Sequence, residues 1–510
     1  MIGLMSLCIK VNGADNVAVA VQDLPRDTEI CDVESQMKTL EFIPRFHKIA
    51  LRDIPESSAV IRYGIAIGFS KYPIKKGQHV SETMLHLPPP VPLDEMKFAV
   101  NIVKDLPIPP VLFWEGYKEP NSSYGGTKNI LAINTTVQCV TGIVNLATAK
   151  IKSELLPKYP NVDDVVPINH AYGCGVAINA TDAQIPIRTL QNIAKHPNFG
   201  SQIMLVGLGC EKLTVEMFLE KKDNNPENVL ILHDCNGFDA MIDAMMKMAE
   251  AKLKILDKRS RQLLPLSDLM IGLQCGASDA LSGITANPAA GYASDMLVKA
   301  GATVLFSEVT EVRDGCFIIA ERCINEEVGK RFMEEMKWYD DYLKRGDADR
   351  SANPTPGNKN GGLSNIAEKA MGSITKSGTS PIVEVLSPAE IPTKKGLVYA
   401  ATPASDIVCG PCQLASGIGV QVFMTGAGTP YGLAGVPVIK VSSNNEIKKK
   451  WPDLIDINAG PIAVGEATIP EIGNLLYKEI IEIASGRKKC LADKHKIYND
   501  LCVFNPAPIT

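Results

Sequence analysis

Leu269-Met270-Ile271-Gly272-Leu273-Gln274-Cys275-Gly276-Ala277-Ser278-Asp279 decides how this chain is read. The run Leu269 to Leu273 is short and apolar and stops at a polar turn containing glycine, as a strand buried on both faces does. The same grammar recurs at Ile130 to Ile133, Val165 to Ile168, Ile203 to Val206, Val229 to Leu232, Val304 to Phe306, Leu397 to Ala400 and Val420 to Met424. Each run leads into a helix-like stretch, and strands alternating with helices predict doubly wound, parallel α/β layers. A helix predicted from Glu326 to Lys344 carries Val328, Phe332, Met336 and Tyr339 at helical spacing.

Upstream the period changes. Residues 11 to 85 alternate apolar and polar positions in short runs punctuated by Gly64, Gly68 and Gly77, the pattern of a small all-β domain. Leu87 to Pro110 is dense in proline and reads as an extended connector. The predicted organisation is a β domain at 1–86, a Pro-rich linker at 87–111, one α/β domain at 112–258 and a second at 259–510. The apolar opening, Met1 to Cys8, has no basic residues ahead of it and is expected to be a first strand, not a secretory signal. Gly346 to Gly378, rich in Gly, Asn, Ser and Pro, is expected to be a long functional or disordered loop.

With 510 residues and a formal net charge of -5, the chain has the balance of an ordinary soluble enzyme. No stretch joins Lys and Arg to aromatics as a nucleic-acid groove does. The longest uncharged stretch, Ile407 to Ile439, is broken by Gly, Pro and Thr, so no membrane span is expected. Thirteen cysteines and no signal segment point to a reducing, cytoplasmic setting. Cys409-Gly410-Pro411-Cys412 looks like a redox pair but lacks the short βαβ context, and two buried or half-buried thiols are expected.

Ligands of open α/β sheets bind outside the carboxyl ends of strands. Those ends read Thr135-Thr136-Val137-Gln138-Cys139, His170-Ala171-Tyr172-Gly173-Cys174-Gly175, Gly207-Leu208-Gly209-Cys210-Glu211 and Gln274-Cys275-Gly276-Ala277-Ser278-Asp279. Four thiols stand at equivalent positions, either as small buried hydrophobes or as parts of a metal or anion site.

These segments, with Cys275 to Pro288, Asn353 to Gly362 and Gly428-Thr429-Pro430-Tyr431-Gly432, resemble the altronate and galactarate dehydratase family nearly end to end. Leu155 to Val166, Tyr172 to Ala180, Val304 to Asp314, Gly346 to Asn353 and Phe504 to Pro508 resemble its galactarate branch. The resemblance implies an N-terminal β-clip domain of the SAF type, a divalent metal usually described as Fe2+, and loss of water from a sugar acid. Galactarate is the substrate it favours, with 5-dehydro-4-deoxy-glucarate as product. Altronate dehydration, sulfolactate desulfonation and a sugar-acid-binding protein without catalysis are the alternatives. A nicotinamide enzyme, suggested by Gly426-x-Gly428, is disfavoured because that loop runs into another β-like stretch, Val436 to Val441, instead of a helix. The expected partner is a small aldaric acid, with no nucleic acid or membrane, and a homodimer is the default assembly.

Dehydration of a 2,3-dihydroxy acid needs positive charge for the enediolate and a proton or metal for the departing hydroxide. The candidates for catalysis are His170, Lys359 and Lys376, with His170 moving the proton and the lysines serving as carboxylate clamp or desolvated base. Ser278, Asp279, Ser282, Asn287, Asn358, Thr429 and Tyr431 are candidates for substrate binding. His170, Cys174, Cys210 and Cys275 are candidates for the metal. In the β domain, His47-Lys48 and Arg62-Tyr63-Gly64 match the family, and an arm of this domain is a candidate lid. Two departures stand out. The family's Asp-Gly is missing from the element Gly116 to Asn129, and Ala427 stands where the family has an arginine suited to a substrate carboxylate.

Overall fold

The computed structural model describes residues 7–31, 36–120 and 122–509. Most of the predicted first strand, Met1 to Cys8, lies outside the described residues; what is described is a short strand at Cys8–Ile9 pairing antiparallel with Val17–Ala20. The N-terminal domain is all β, with a four-stranded sheet, a three-stranded sheet and a two-stranded ribbon. Its alternating pattern suits short antiparallel strands that bury one face, and Val17, Val60, Ile67 and Val80 fill one of its small cores.

The linker has no strand of its own between His86 and Phe113, as its prolines predict, yet it does not hang free. Val91, Leu93 and Met96 pack on the main core, the Val91 carbonyl accepts from Arg313 at 2.8 Å, and Phe98 lies over Gly329. The connector is therefore a strap along the C-terminal domain.

The central domain holds four parallel strands, β1 (Ile130–Thr135), β2 (Asp164–Ile168), β3 (Leu205–Gly207) and β4 (Val229–Ile231), in the order β2-β1-β3-β4. Helix α1 (Thr141–Glu154) follows β1. The C-terminal domain is built on seven parallel strands. They are β5 (Met270–Gly276), β6 (Thr303–Phe306), β7 (Ile382–Leu386), β8 (Leu397–Ala400), β9 (Val420–Thr425), β10 (Val438–Ser442) and β11 (Ile457–Asn458), in the order β7-β8-β6-β5-β9-β10-β11. After β5 the chain builds outward on one side through β6, then returns to the other side with β9. The carboxyl end of β5 is thus the switch point where a crevice forms. All eight predicted runs are strands; β7 was not anticipated, because Ile382 to Leu386 is interrupted by Glu384. The predicted helix runs from Glu326–Arg345 and starts at an Asn325 cap.

The segment 346–378 is not the loop its composition suggested. It folds as α2 (Pro356–Asn360), α3 (Ile366–Ile374) and a 3-10 turn at Thr375–Ser377. Thr355 and Asn358 form a capping box with Pro356 in the first turn, and the Asn365 side chain accepts from the Glu368 amide. Its small residues make α3 narrow enough to be buried along its whole length. No helix among the described residues is long and apolar enough to cross a membrane.

Candidate active site

Cys275 is the penultimate residue of the fully buried β5, and its thiol meets four polar groups, Glu308 and Glu311 from one segment and Ser373 and Lys376 from another. It donates to Glu311 Oε2 at 3.2 Å, lies 3.4 Å from Ser373 Oγ, and accepts from Lys376 Nζ at 3.3 Å. Lys376 Nζ also donates to Glu308 Oε2 at 2.6 Å and Ser373 Oγ at 2.7 Å, and Lys369 Nζ pairs with Glu311 Oε1 at 2.7 Å. Glu308 and Glu311 follow β6. Lys369, Ser373 and Lys376 come from α3 and the turn after it, where spacings of four and three residues place them on one face. Glu308 adopts a left-handed φ of +78° and Ala277, beyond Cys275, one of +50°. Such conformations are costly for residues with side chains and mark a backbone shaped around a site.

The electrostatics follow from burial. Burial pushes the Cys275 thiol up, with Glu311 adding to it, so the sulfur holds its proton. Burial opposes the charge of Lys376, but Cys275, Glu308 and Glu311 around it keep it an ammonium. Lys369 is likewise raised, burial being outweighed by Glu311. Lys376 is therefore a buried ammonium tied to Glu308, Ser373 and Cys275. Burial raises Glu308 to about 8, against the pull of Lys376, while Lys369 and Lys376 overcome burial to hold Glu311 below the usual carboxylate range. Across β5, burial raises Asp406 to about 6. The ligand atoms of Cys275, Glu308 and Glu311 lie within 4.8 Å of one another, a thiol and two carboxylates with the composition of a site for a divalent metal ion.

Beside this cluster a small cavity of about 10 Å³ is lined by Tyr63, Ser278, Asp279, Ser282, Asn287 and Lys369, among others. Ser278 Oγ and Asn287 Oδ1 are buried without a hydrogen-bond partner in the protein. Unpaired buried polar atoms are expensive, and two of them facing one cavity call for a polar ligand. Asp279 lines the same cavity, and its carboxylate accepts from Ser282, Ser443 and Asn444 at 2.8 to 2.9 Å. Asn358 is buried and donates to the Ser278 carbonyl at 2.8 Å, so it shapes the wall.

The N-terminal domain closes the cavity. Tyr63 reaches between Gly283 and Gly372; a Cβ on Gly283 would fall 2.5 Å from the Tyr63 hydroxyl and 2.4 Å from Gly372 Cα. Only glycines allow loop, helix and ring to approach this closely. Lys48 and Arg62, both fully buried, converge on Glu368 of α3, and Arg62 also donates to the Ala280 carbonyl at 2.6 Å. These contacts tie the N-terminal domain to α3 and put Tyr63 in the wall of the pocket.

Of the residues singled out in the sequence, Cys275, Lys376, Ser278, Asp279, Ser282, Asn287 and Asn358 come together. His170 does not join them. It is buried in the central domain, with Nε2 against the Thr135 carbonyl at 2.8 Å and Nδ1 accepting from the Tyr172 amide at 3.2 Å. Both ring nitrogens are committed to main chain, and burial lowers its pKa to about 4. Cys174 and Cys210 are exposed at the edge of the same sheet, and no described contact joins them to Cys275. Lys359 is half-buried on α2 outside the cavity lining, and Thr429 is half-buried beyond β9. Tyr431 is buried against Phe423, with its hydroxyl against Gly410, inside the core. Cys409 and Cys412 are buried free thiols of one helix, Asp406–Ser416. Reading strand ends had missed Glu308, Glu311 and Lys369. Glu308 follows the predicted strand Val304 to Phe306 directly and was legible there; Lys369 lay hidden in a segment read as loop.

Three profiles of one family cover most of the chain. They are the altronate/galactarate dehydratase SAF domain at residues 6–88, the D-galactarate dehydratase/altronate hydrolase second domain at 116–257, and the D-galactarate/altronate dehydratase C-terminal domain at 266–509. The chain is 52% identical to the galactarate dehydratase (L-threo-forming) of Escherichia coli (strain K12), over 98% of this chain and 97% of that one. It is 34% identical to the altronate dehydratase of the same organism, over 97% and 98%, and 31% identical to that of Bacillus subtilis (strain 168), over 95% and 96%.

Proposed function

The chain belongs to the D-galactarate/altronate dehydratase family and is a hydro-lyase, and from that premise we propose that its substrate is galactarate, dehydrated to 5-dehydro-4-deoxy-glucarate beside the Cys275 cluster. The observation that carries this reading is two buried polar atoms without partners, Ser278 Oγ and Asn287 Oδ1, on a cavity wall that Lys369 also lines. A polyhydroxylated acid supplies hydroxyl partners for both atoms.

Lys369, kept cationic on the cavity wall, suits the carboxylate next to the acidic carbon; removing a proton there makes an enediolate, and one preorganised donor stabilises such a charge by about 3 to 4 kcal/mol. The departing β-hydroxyl needs a proton, and the hydrogen bond from Lys376 Nζ to Glu308 Oε2 holds one at the rim of the cluster. With Tyr63 seated between Gly283 and Gly372, bulk water is kept from the intermediate. Cys275, Glu308 and Glu311 would hold a divalent metal, for which Fe2+ suits the mixed thiol and carboxylate donors; when bound it would supply Lewis acidity. Thirteen free thiols fit a cytoplasmic setting.

Protein purified anaerobically and given ferrous iron is offered galactarate, glucarate, altronate and sulfolactate separately while 2-keto acid is followed. Keto acid from galactarate is the expected result. Turnover of another acid alone would overturn the substrate, and thermal stabilisation by galactarate without turnover would make the chain a binding protein.

A further inference from the structure

The groups around Cys275 supply cations for an enediolate and a proton for a leaving hydroxyl, but none of them is free to take the proton from carbon. Lys369 and Lys376 are ammonium groups, and Glu311 and Glu308 are ion-paired with them. The Asp279 carboxylate is occupied by Ser282, Ser443 and Asn444, and that of Glu368 by Lys48 and Arg62. His170 is away in the central domain with both ring nitrogens on main chain. One carboxylate at the same strand ends is not engaged in this way, that of Asp406.

Asp406 opens the helix Asp406–Ser416, which follows β8 and packs on β5; Gln413 Nε2 donates to the Leu273 carbonyl at 3.0 Å and Gln274 Nε2 to the Asp406 carbonyl at 3.1 Å. A Cβ on Gly276 would fall 2.4 Å from both oxygens of the Asp406 carboxylate. The carboxylate therefore lies against the residue that follows Cys275, an approach that only glycine permits. It accepts one hydrogen bond among the described residues, a long one of 3.5 Å from Gln274 Nε2. Glu308 and Glu311 are fully buried, whereas Asp406 is half-buried and reaches the crevice. It also stands in the field of Glu311, Lys369 and Lys376, which places it beside the cluster. A carboxylate without a bonded cation accepts a proton without breaking an ion pair, as a general base must.

We propose that Asp406 is the catalytic base, removing the proton from the carbon next to the carboxylate that Lys369 binds. The inference rests on the dehydratase reading and supplies the group which that reading lacks. One Asp406 oxygen takes the proton, and the C–H electron pair passes into the enediolate. The C–O bond to the β-hydroxyl then breaks, and the hydroxyl leaves as water with the proton held between Lys376 and Glu308. The enol tautomerises to the 2-keto acid. Asp406 gives its proton to solvent, solvent refills the donor, and the sum is the loss of one water.

The full-length, iron-loaded protein is compared with its Asp406→Asn and Asp406→Ala variants on galactarate, with unfolding midpoint and iron content measured for each. Asp406→Asn is expected to lower kcat by about 10²- to 10⁴-fold, the share of a general base, with KM little changed. Formate is expected to restore part of kcat to Asp406→Ala, where a carboxylate can enter the vacated space, and none to Asp406→Asn. A merely structural role would not respond in this way. Carbodiimide labelling of the unaltered protein, read residue by residue, is expected to modify Asp406 and to be blocked there by galactarate, which requires no variant to fold. A kcat within tenfold in Asp406→Asn, a loss in folded Asp406→Ala that formate leaves untouched, or labelling of Asp406 indifferent to galactarate would overturn the base while leaving the dehydratase reading intact. Unaltered protein that dehydrates no sugar acid would overturn that reading, and the base with it.

Discussion

Lys48 Nζ lies 3.0 Å from Glu368 Oε2, across 320 positions of sequence and the boundary between the N-terminal and C-terminal domains. Arg62 meets the other oxygen of the same carboxylate, and all three side chains are buried. One anion with two cations in a water-free interface is an arrangement in which each partner depends on the others, because an uncompensated buried charge costs far more than a surface one.

Glu368→Ala is accordingly expected to destabilise the protein by about 3 to 5 kcal/mol, because two cations are left without their anion. Denaturant unfolding measures the loss. Limited proteolysis should show faster cutting in the linker 87–111 as the N-terminal domain loosens. An unchanged unfolding midpoint with an uncut linker would mean that the triad does not hold the domains together.

The same carboxylate sets an acid limb of stability. Burial opposes the charge of Glu368, but Lys48 and Arg62 hold its pKa at about 2, below the ordinary 4.5. A depressed carboxyl stabilises the fold fully above 4.5, and the contribution is lost as pH falls from 4.5 toward 2. His170 and His196 act in a higher window. Burial lowers both from 6.5 to about 4, so the neutral rings favour the fold above 6.5 and that share is lost between 6.5 and 4. Unfolding midpoints against pH should fall in two stages, with Glu368→Gln flattening the lower and His170→Gln the upper.

Lys369→Met and Lys376→Met are each expected to lower kcat/KM by about 10²- to 10³-fold, the loss seen when one preorganised donor to a developing anion is removed. If Lys369 binds the carboxylate in ground state and transition state alike, KM rises with kcat unchanged; if it acts on the enediolate, kcat falls. Loss below tenfold in both variants would remove the clamp from the mechanism.

Ala427 follows Gly426, whose own added Cβ would collide with Asp279, and its amide donates to the Ala277 carbonyl at 3.0 Å. The side chain is exposed on the loop after β9, whose Gly426 packs on Asp279 of the pocket wall. Ala427→Arg should therefore put a guanidinium beside the diacid and raise kcat/KM about tenfold or more through a charged hydrogen bond of about 1.5 to 3 kcal/mol. No change with galactarate would show that the far carboxylate is held elsewhere.

Much of the architecture was readable along the chain. Short apolar runs that stop at glycine and a polar residue and alternate with helix-like stretches fit buried strands, and all eight identified are paired in parallel. Ser278, Asp279, Ser282 and Asn287 were legible because so many hydroxyl, amide and carboxylate groups after one strand exceed what a helix cap uses. Segment 346–378 was misjudged because Gly, Ser and Asn resemble loop until a tight neighbour such as Gly283 makes smallness useful. Tyr63 was noted in its family motif, but its part in the cavity depends on a docking geometry that local pattern does not carry.

By itself the amino-acid order determined the parallel layers, the β domain, the connector and the chemistry available at strand ends, because these follow from short-range periodicity and side-chain type. Only the tertiary structure decided which of those groups share a pocket. It sent Cys275 to Glu308, Glu311 and two lysines, left Cys139, Cys174 and Cys210 on another sheet, and turned His170 inward. The physical reason is that charge compensation and cavity shape are properties of groups brought together across hundreds of residues, and burial sets their protonation only after they meet.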